Sequence, residues 1–131
     1  MELQGIDVSH YQNNIDWDKV SGSGRKFAIL KAMYEAQSHR IDETFEANYK
    51  GAGQNGMSRG VYIFIASSSI KDPQGDAKSL LRILGDRPLE YGIWLDFESD
   101  ALWNCGKQKI EELAFLCKHV QRSWILYWHL L

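Results

Sequence analysis

The alternation of strand-like and helix-like segments is the feature of this 131-residue sequence that most constrains its fold. Short apolar runs are each followed by a segment with helical spacing. The four pairs are 5–9 with 17–21, 26–33 with 43–55, 60–67 with 72–84, and 91–98 with 107–119. This order predicts an α/β fold with a parallel sheet and right-handed helical crossovers. The apolar run 124–128 is a candidate for a fifth strand.

Two carboxylates end the apolar run 93–98, at Asp96 and Glu98. Because side chains alternate along a strand, both carboxylates are expected on the same face. Like charges held this close raise one of the two pKa values, so one group tends to keep its proton. A protonated acid beside an ionised one is suited to cleaving a glycosidic bond. The pair alone also fits a strand that runs into solvent, with both acids hydrated on a loop.

Polar side chains also stand at the predicted carboxyl ends of other strands, at Asp7 and Tyr62. That end carries the active site in barrels of alternating strands and helices, and a doubly wound sheet places its crevice there as well. Structural alternatives remain, since Asp7 also fits a strand-end cap and Tyr62 a core tyrosine. The glycines at 51–56 have dinucleotide-loop spacing but close a predicted helix, so no cofactor is predicted.

The composition excludes several other classes of function. The net charge is −2, which gives no reason to expect a nucleic-acid partner. No apolar stretch reaches the roughly 18 residues that span a bilayer, and no signal peptide is visible. Cys105 and Cys117 are expected to be free thiols, because they are too far apart if both lie on the helix around 107–119. With His119 they offer too few ligands for a metal site.

Six segments in order resemble the glycoside hydrolase family 25 lysozymes, from about Gly5 to Glu98. They are GIDVSHYQ, IDWDKV, FAILKA, DETFEANYKGA, GVYIF and WLDFE. The resemblance implies a TIM-like (β/α) barrel that hydrolyses the β-1,4 bond between N-acetylmuramic acid and N-acetylglucosamine in peptidoglycan. It also implies glycan strands as the partner and an extracellular or cell-wall site of action.

The resemblance further implies roles for individual residues. Glu98 matches the general acid/base, Asp96 would stabilise positive charge on the sugar, and Asp7 would orient the substrate or tune Asp96. The expected substrate-binding residues are Tyr62, Phe64, Lys31 and Tyr34. The segment Met33-Tyr34-Glu35-Ala36 departs from the Thr-Glu-Gly stretch of many relatives and leaves Glu35 without a role.

Members of this family continue through further strands and another acid. We therefore expect a single domain over 1–131 that forms an incomplete barrel of four to five strand–helix units. Such a chain should be at best a weak hydrolase and should self-associate through its open edge. Unless residues 124–131 or a second copy of the chain cover them, the inner faces of four strand residues are expected to be partly uncovered: Val61, Ile63, Ile93 and Leu95. An inactive or glycan-binding remnant, and a structural module whose acids cap strands, are the alternatives.

Overall fold

The computed structural model describes residues 2–35, 38–65, 71–97, 100–121 and 125–129. The elements are β1 (Gly5–Val8), α1 (Trp17–Gly22), β2 (Phe27–Glu35), α2 (Phe45–Gln54), β3 (Ser58–Phe64), α3 (Pro73–Leu84), β4 (Ile93–Phe97), α4 (Asp100–Gln121) and β5 (Ile125–His129). A 3-10 helix, His10–Gln12, follows β1. All neighbouring strands are parallel, in the order β1-β2-β3-β4-β5. The predicted parallel α/β sheet is confirmed, including its fifth strand.

One face of the sheet is covered by helices. Val61, Ile63, Ile93 and Leu95 are each 0% exposed and pack with apolar side chains of the surrounding helices. The helix residues of this cluster include Phe45 of α2, Leu80 and Leu84 of α3, and Ile110 and Leu113 of α4. The expectation that these strand residues would be partly uncovered is therefore wrong. Their side chains point away from the barrel interior and towards the helices, which bury them completely.

The sequence predicted the start of α3 more closely than the start of α4. Asp72 caps α3 through a 3.0 Å hydrogen bond that the backbone N–H of Gly75 donates to its Oδ1, and Pro73 is the first helical residue. Helix α4 begins at Asp100, seven residues before the predicted start. A single glycine such as Gly106 weakens a helix by about 1 kcal/mol without ending it. Cys105 and Cys117 both lie in α4, about 18 Å apart along its axis at 1.5 Å per residue.

The other face of the sheet carries the polar and aromatic side chains. The register aligns Lys31 with Tyr62, Tyr62 with Trp94, and Phe64 with Asp96. At the amino-terminal ends of the strands this face has an apolar groove of about 340 Å³. It is lined by Gly5, Ile6, Asp7, Phe27, Ile29, Tyr91 and Trp94. Among the described residues, no helix is both long and apolar enough to cross a membrane.

Candidate active site

Tyr62 lies at the centre of the polar cluster on the open face. Its side chain is buried, with 8% of the residue exposed. Burial raises the pKa of the phenol far above its ordinary value; the Ser9 side chain opposes this shift, while the nearby negative charges of Asp7 and Asp96 add to it. Tyr62 is therefore neutral at physiological pH and can donate a hydrogen bond. Tyr62 is thus a buried hydrogen-bond donor close to two carboxylates, Asp7 of β1 and Asp96 of β4.

Lys31 places a positive charge beside this cluster. The residue is 9% exposed and pairs with Tyr62 across the β2–β3 register. Its ammonium nitrogen lies 4.8 Å from the ring centroid of Tyr34, 5.8 Å from that of Phe64 and 6.0 Å from that of Tyr11. Aromatic faces attract a cation at these distances and exclude water from it. The predicted substrate-binding residues Lys31, Tyr34 and Phe64 are thus brought together next to Tyr62.

A buried carboxylate, Asp42, joins the loop after β1 to the start of α2. Its side chain is 0% exposed. Its Oδ2 accepts from the backbone N–H of His10 at 3.0 Å and lies 2.9 Å from His10 Nδ1. Its Oδ1 accepts from the backbone N–H and the hydroxyl of Thr44, at 2.8 and 2.6 Å. Burial alone would raise the pKa of Asp42, but these hydrogen bonds outweigh it and hold the pKa below 3.8.

Several contacts fix the position of Tyr34 at the rim of the site. Its hydroxyl donates to Glu43, and its ring lies 4.5 Å from the His10 ring and 3.8 Å from the Arg40 guanidinium carbon. Burial, together with the hydrogen bond to Glu43, raises the pKa of Tyr34 to about 12, and the same bond lowers the pKa of Glu43. Tyr34 is therefore a neutral, oriented aromatic side chain.

His39 fixes the loop that follows β2. Its Nε2 lies 2.5 Å from Oδ1 of Asp76, whose side chain is 1% exposed on α3. His39 has a φ of +56°, a backbone conformation that non-glycine residues rarely adopt. Burial raises the pKa of Asp76, and His39 partly offsets this increase. The pair connects the loop around Tyr34 and Arg40 to α3.

Of the predicted catalytic residues, the structure brings Asp7 and Asp96 to the same tyrosine. Glu98, the predicted general acid, lies outside the described residues, and the side chain of Glu35 is not described either. The sequence analysis missed Ser9, His10 and Asp42 as parts of the site. For Ser9 and His10 the signal was their position directly after a strand that ends in an acid.

A cluster of possible metal ligands also lies at this rim. Atoms of His10, Asp42 and Glu43 that could bind a metal lie within 4.8 Å of one another. Both oxygens of Asp42 already accept hydrogen bonds, and Glu43 accepts from Tyr34. These contacts account for the cluster as a hydrogen-bonded support of the rim, so we do not assign a metal to it.

Comparisons with known proteins agree with this geometry. The chain is 45% identical over 62 residues to lysozyme M1 of Streptomyces globisporus. This matched segment covers 47% of this chain and 20% of that protein. The fold matches a family 25 glycosyl hydrolase from Bacillus anthracis with a TM-score of 0.84 and 21% identity, over 98% of this chain and 60% of that one. A bacterial lysozyme from Streptomyces coelicolor matches with a TM-score of 0.78 and 28% identity, over 98% of this chain and 63% of that one.

The chain thus spans about a fifth of the length of the curated relative and somewhat over 60% of the solved structures. The predicted architecture, an incomplete barrel of the TIM-like glycosidase type, is confirmed by the structural matches and their coverage. The model of the glycosyl hydrolases family 25 matches residues 6–127, which is nearly the whole sequence. The polar cluster at the ends of β1, β3 and β4 is therefore the candidate active site of a protein that belongs to the glycosyl hydrolases family 25.

Proposed function

We propose that residues 1–131 belong to a single catalytic domain, an incomplete barrel, of a peptidoglycan hydrolase of the muramidase type. The reaction is hydrolysis of the β-1,4 bond between N-acetylmuramic acid and N-acetylglucosamine. The observation that carries the proposal is the meeting of Asp7, Asp96 and a neutral Tyr62 at the carboxyl ends of three parallel strands. Family membership supplies the substrate class. The expected place of action is the bacterial cell wall, reached either as a secreted bacterial protein or as a phage-encoded one.

In this proposal Glu98 gives its proton to the leaving oxygen and later takes one from water. Asp96 stabilises the positive charge that develops on the sugar, either directly or through the N-acetyl group of the substrate. Asp7 acts on the same region from β1, where it orients the substrate or tunes Asp96. Tyr62 donates a hydrogen bond to the sugar, because its raised pKa keeps the phenol protonated.

Lys31, Tyr34 and Phe64 bind the substrate in this proposal. Lys31 places a positive charge on the strand next to Tyr62, and the rings of Tyr34 and Phe64 lie beside its ammonium group. Peptidoglycan carries acyl oxygens and carboxylates that such a donor can bind. The Tyr34 ring, which lies next to Arg40, His10 and Lys31, holds these side chains in place at the rim of the site.

The decisive experiment measures release of soluble muropeptides from purified cell walls by the wild type, Glu98→Gln and Asp96→Asn. General acid/base catalysis is worth about 10²–10⁴-fold and electrostatic stabilisation of a charged transition state about 10²–10³-fold, so the activity of each variant should fall by roughly 100-fold or more. Asp18→Asn, an exposed acid on α1, is the matched control and should keep full activity. Activity that is retained in Glu98→Gln would exclude the proposed mechanism.

The alternative is an inactive domain that binds glycan. Catalytic groups must be held close to their productive geometry, and a misplacement of about 1 Å is expensive in rate. Sedimentation with insoluble peptidoglycan separates the two functions, since a binding domain would be retained on the cell walls without releasing muropeptides. Failure both to bind and to release would reject this family of proposals.

We further infer that the chain self-associates through the open edge of its incomplete barrel. The apolar groove on the adjoining face is lined by the partly exposed rings of Phe27 and Trp94. Within the described part of the chain, β1 pairs with β2 alone and β5 with β4 alone. Apolar surface and unpaired strand edges both favour association. Analytical ultracentrifugation over a range of concentrations should show a dimer or larger species, and a monomer at high concentration would contradict this.

A further inference from the structure

Tyr11 is an aromatic side chain that the structure holds in the open. It is 78% exposed, more than any other large apolar side chain in the described segments. Its backbone is fixed by a capped turn, since the N–H of Tyr11 donates to the Ser9 hydroxyl at 3.2 Å and the N–H of Ser9 donates to Gln12 Oε1 at 2.7 Å. The ring therefore has a defined position although solvent surrounds it.

The ring belongs to a row that leads into the candidate active site. The centroid of Tyr11 lies 4.2 Å from that of His10, which in turn lies 4.5 Å from that of Tyr34. We call Tyr11, His10 and Tyr34 the aromatic ledge. The Asp42 carboxylate contacts Nδ1 of the His10 ring. The Lys31 ammonium lies near the rings of Tyr11 and Tyr34. Tyr11 is thus the outer, solvent-facing end of a supported surface that continues to the Lys31–Tyr62 pair.

The chemistry of this surface fits a sugar ring. The faces of a pyranose carry C–H groups, which pack against the face of an aromatic ring, and its edges carry hydroxyls, which need water or polar partners. An exposed ring on a rigid turn binds with little loss of conformational freedom. An exposed tyrosine alone is common. Here the capped turn, the tilted contacts between neighbouring rings and the continuity with the acids point to a ligand.

We propose that Tyr11 is a sugar-binding platform that stacks against a pyranose of the glycan strand outside the two sugars flanking the cleaved bond. This inference rests on the proposed function, because it takes the substrate to be a glycan polymer. It predicts that long glycan strands bind better than short ones and that Tyr11 supplies the difference. The phenol hydroxyl has no role in the stacking, so phenylalanine should replace tyrosine without loss.

The test compares the wild type with Tyr11→Ala and Tyr11→Phe on glycan fragments of peptidoglycan of defined length. In the wild type, KM should fall as the fragment lengthens. In Tyr11→Ala this gain should be lost, with a KM about tenfold higher on long fragments, equivalent to about 1.4 kcal/mol, and with kcat unchanged. Tyr11→Phe should behave as the wild type. Leu3→Ala removes a similarly exposed apolar side chain before β1 and should change nothing.

The outcomes separate this inference from the function on which it rests. If the wild type is active and Tyr11→Ala keeps the length dependence of KM, the platform is refuted and the muramidase proposal stands. If the wild type releases no muropeptides, the catalytic proposal fails, and the platform is tested by sedimentation with insoluble peptidoglycan. The inference is overturned if the wild type and Tyr11→Ala are retained equally on the peptidoglycan. It is also overturned if Leu3→Ala loses retention as much as Tyr11→Ala does. Unchanged thermal unfolding of Tyr11→Ala excludes misfolding as the cause.

Discussion

Replacing Asp42 by asparagine should destabilise the protein strongly, although the two side chains have the same shape. The carboxylate accepts four hydrogen bonds, two from His10 and two from Thr44. An amide has one oxygen, so its NH₂ group must face one of the two pairs of donors. The Thr44 hydroxyl can rotate and accept from that group, but the backbone N–H of Thr44 cannot.

The size of the effect follows from these contacts. A buried N–H of Thr44 left without an acceptor costs about 1–3 kcal/mol. The two bonds kept with His10 lose their charged acceptor, which is worth about 1 kcal/mol each. The expected loss is therefore roughly 3–5 kcal/mol, in line with the penalty for breaking a buried ion pair. A typical domain has about 5–15 kcal/mol, so Asp42→Asn should still fold at 25 °C.

Urea unfolding of the wild type and Asp42→Asn measures this difference. With a slope near 2 kcal/mol per M, the midpoint should fall by about 1.5–2.5 M. Asp18→Asn makes the same chemical change at an exposed site and should stay within about 0.5 kcal/mol of the wild type. Equal midpoints for Asp42→Asn and the wild type would refute the assignment of Asp42 as the support of the rim.

The pH dependence gives a second test of the same reasoning. The folded pKa of Asp42 lies below its ordinary value of 3.8, so the unfolded chain binds the proton more readily. The stabilisation is therefore complete above pH 3.8 and is lost as the pH falls through the lower folded pKa. Asparagine does not titrate, so the difference in the free energy of unfolding between the wild type and Asp42→Asn should become smaller in that range. A difference that stays constant down to about pH 2 would contradict the argument.

Three further substitutions have definite expected results. Burial raises the pKa of the Asp76 carboxyl above 3.8, so its contribution to the free energy of unfolding falls as the pH rises from 3.8 through the raised pKa. Asp76→Asn should remove this pH-dependent decrease, which urea titration at several pH values measures. Gly60→Ala should cost about 1–3 kcal/mol, because an added Cβ would lie 3.0 Å from a backbone oxygen, whereas Gly22→Ala meets nothing within 4 Å and should not destabilise. Asp96→Asn should lower the pKa of Glu98 by removing a like charge, and a carboxyl NMR titration without that change would contradict the coupling.

The sequence predicted the sheet well because the sheet depends on apolar patterns. The runs that form β1 to β4 are bounded by turn residues, and their alternation with helices leaves few topologies for a parallel sheet. The same patterns did not tell which face of a strand would be covered. A fully apolar stretch such as Val61 to Ile63 does not say which side chains meet the helices and which meet the barrel interior, and the expectation of uncovered faces failed for that reason.

The site was only partly predictable, for a different physical reason. Asp7, Tyr62 and Asp96 could be found because each lies near the carboxyl end of a strand, and these ends meet at one edge of a parallel sheet. Asp42 could not, since a buried carboxylate is recognised by its partners, and one of its two partner residues, His10, is 32 residues away. The same holds for Asp76 and His39, which are 37 residues apart. Polar pairs of this kind leave no periodic signal in a sequence.

These buried pairs explain how loops can form a precise rim on this sheet. Loops have few apolar contacts, so packing alone leaves the position of a side chain such as His10 or His39 poorly defined. Asp42 fixes the loop after β1 from one side, and Asp76 fixes the loop after β2 from the other. Each uses hydrogen bonds that are strong because water is excluded and whose directions leave little freedom. The apolar core therefore determines that the chain folds, and the two buried acids determine where the candidate substrate-binding rings stand.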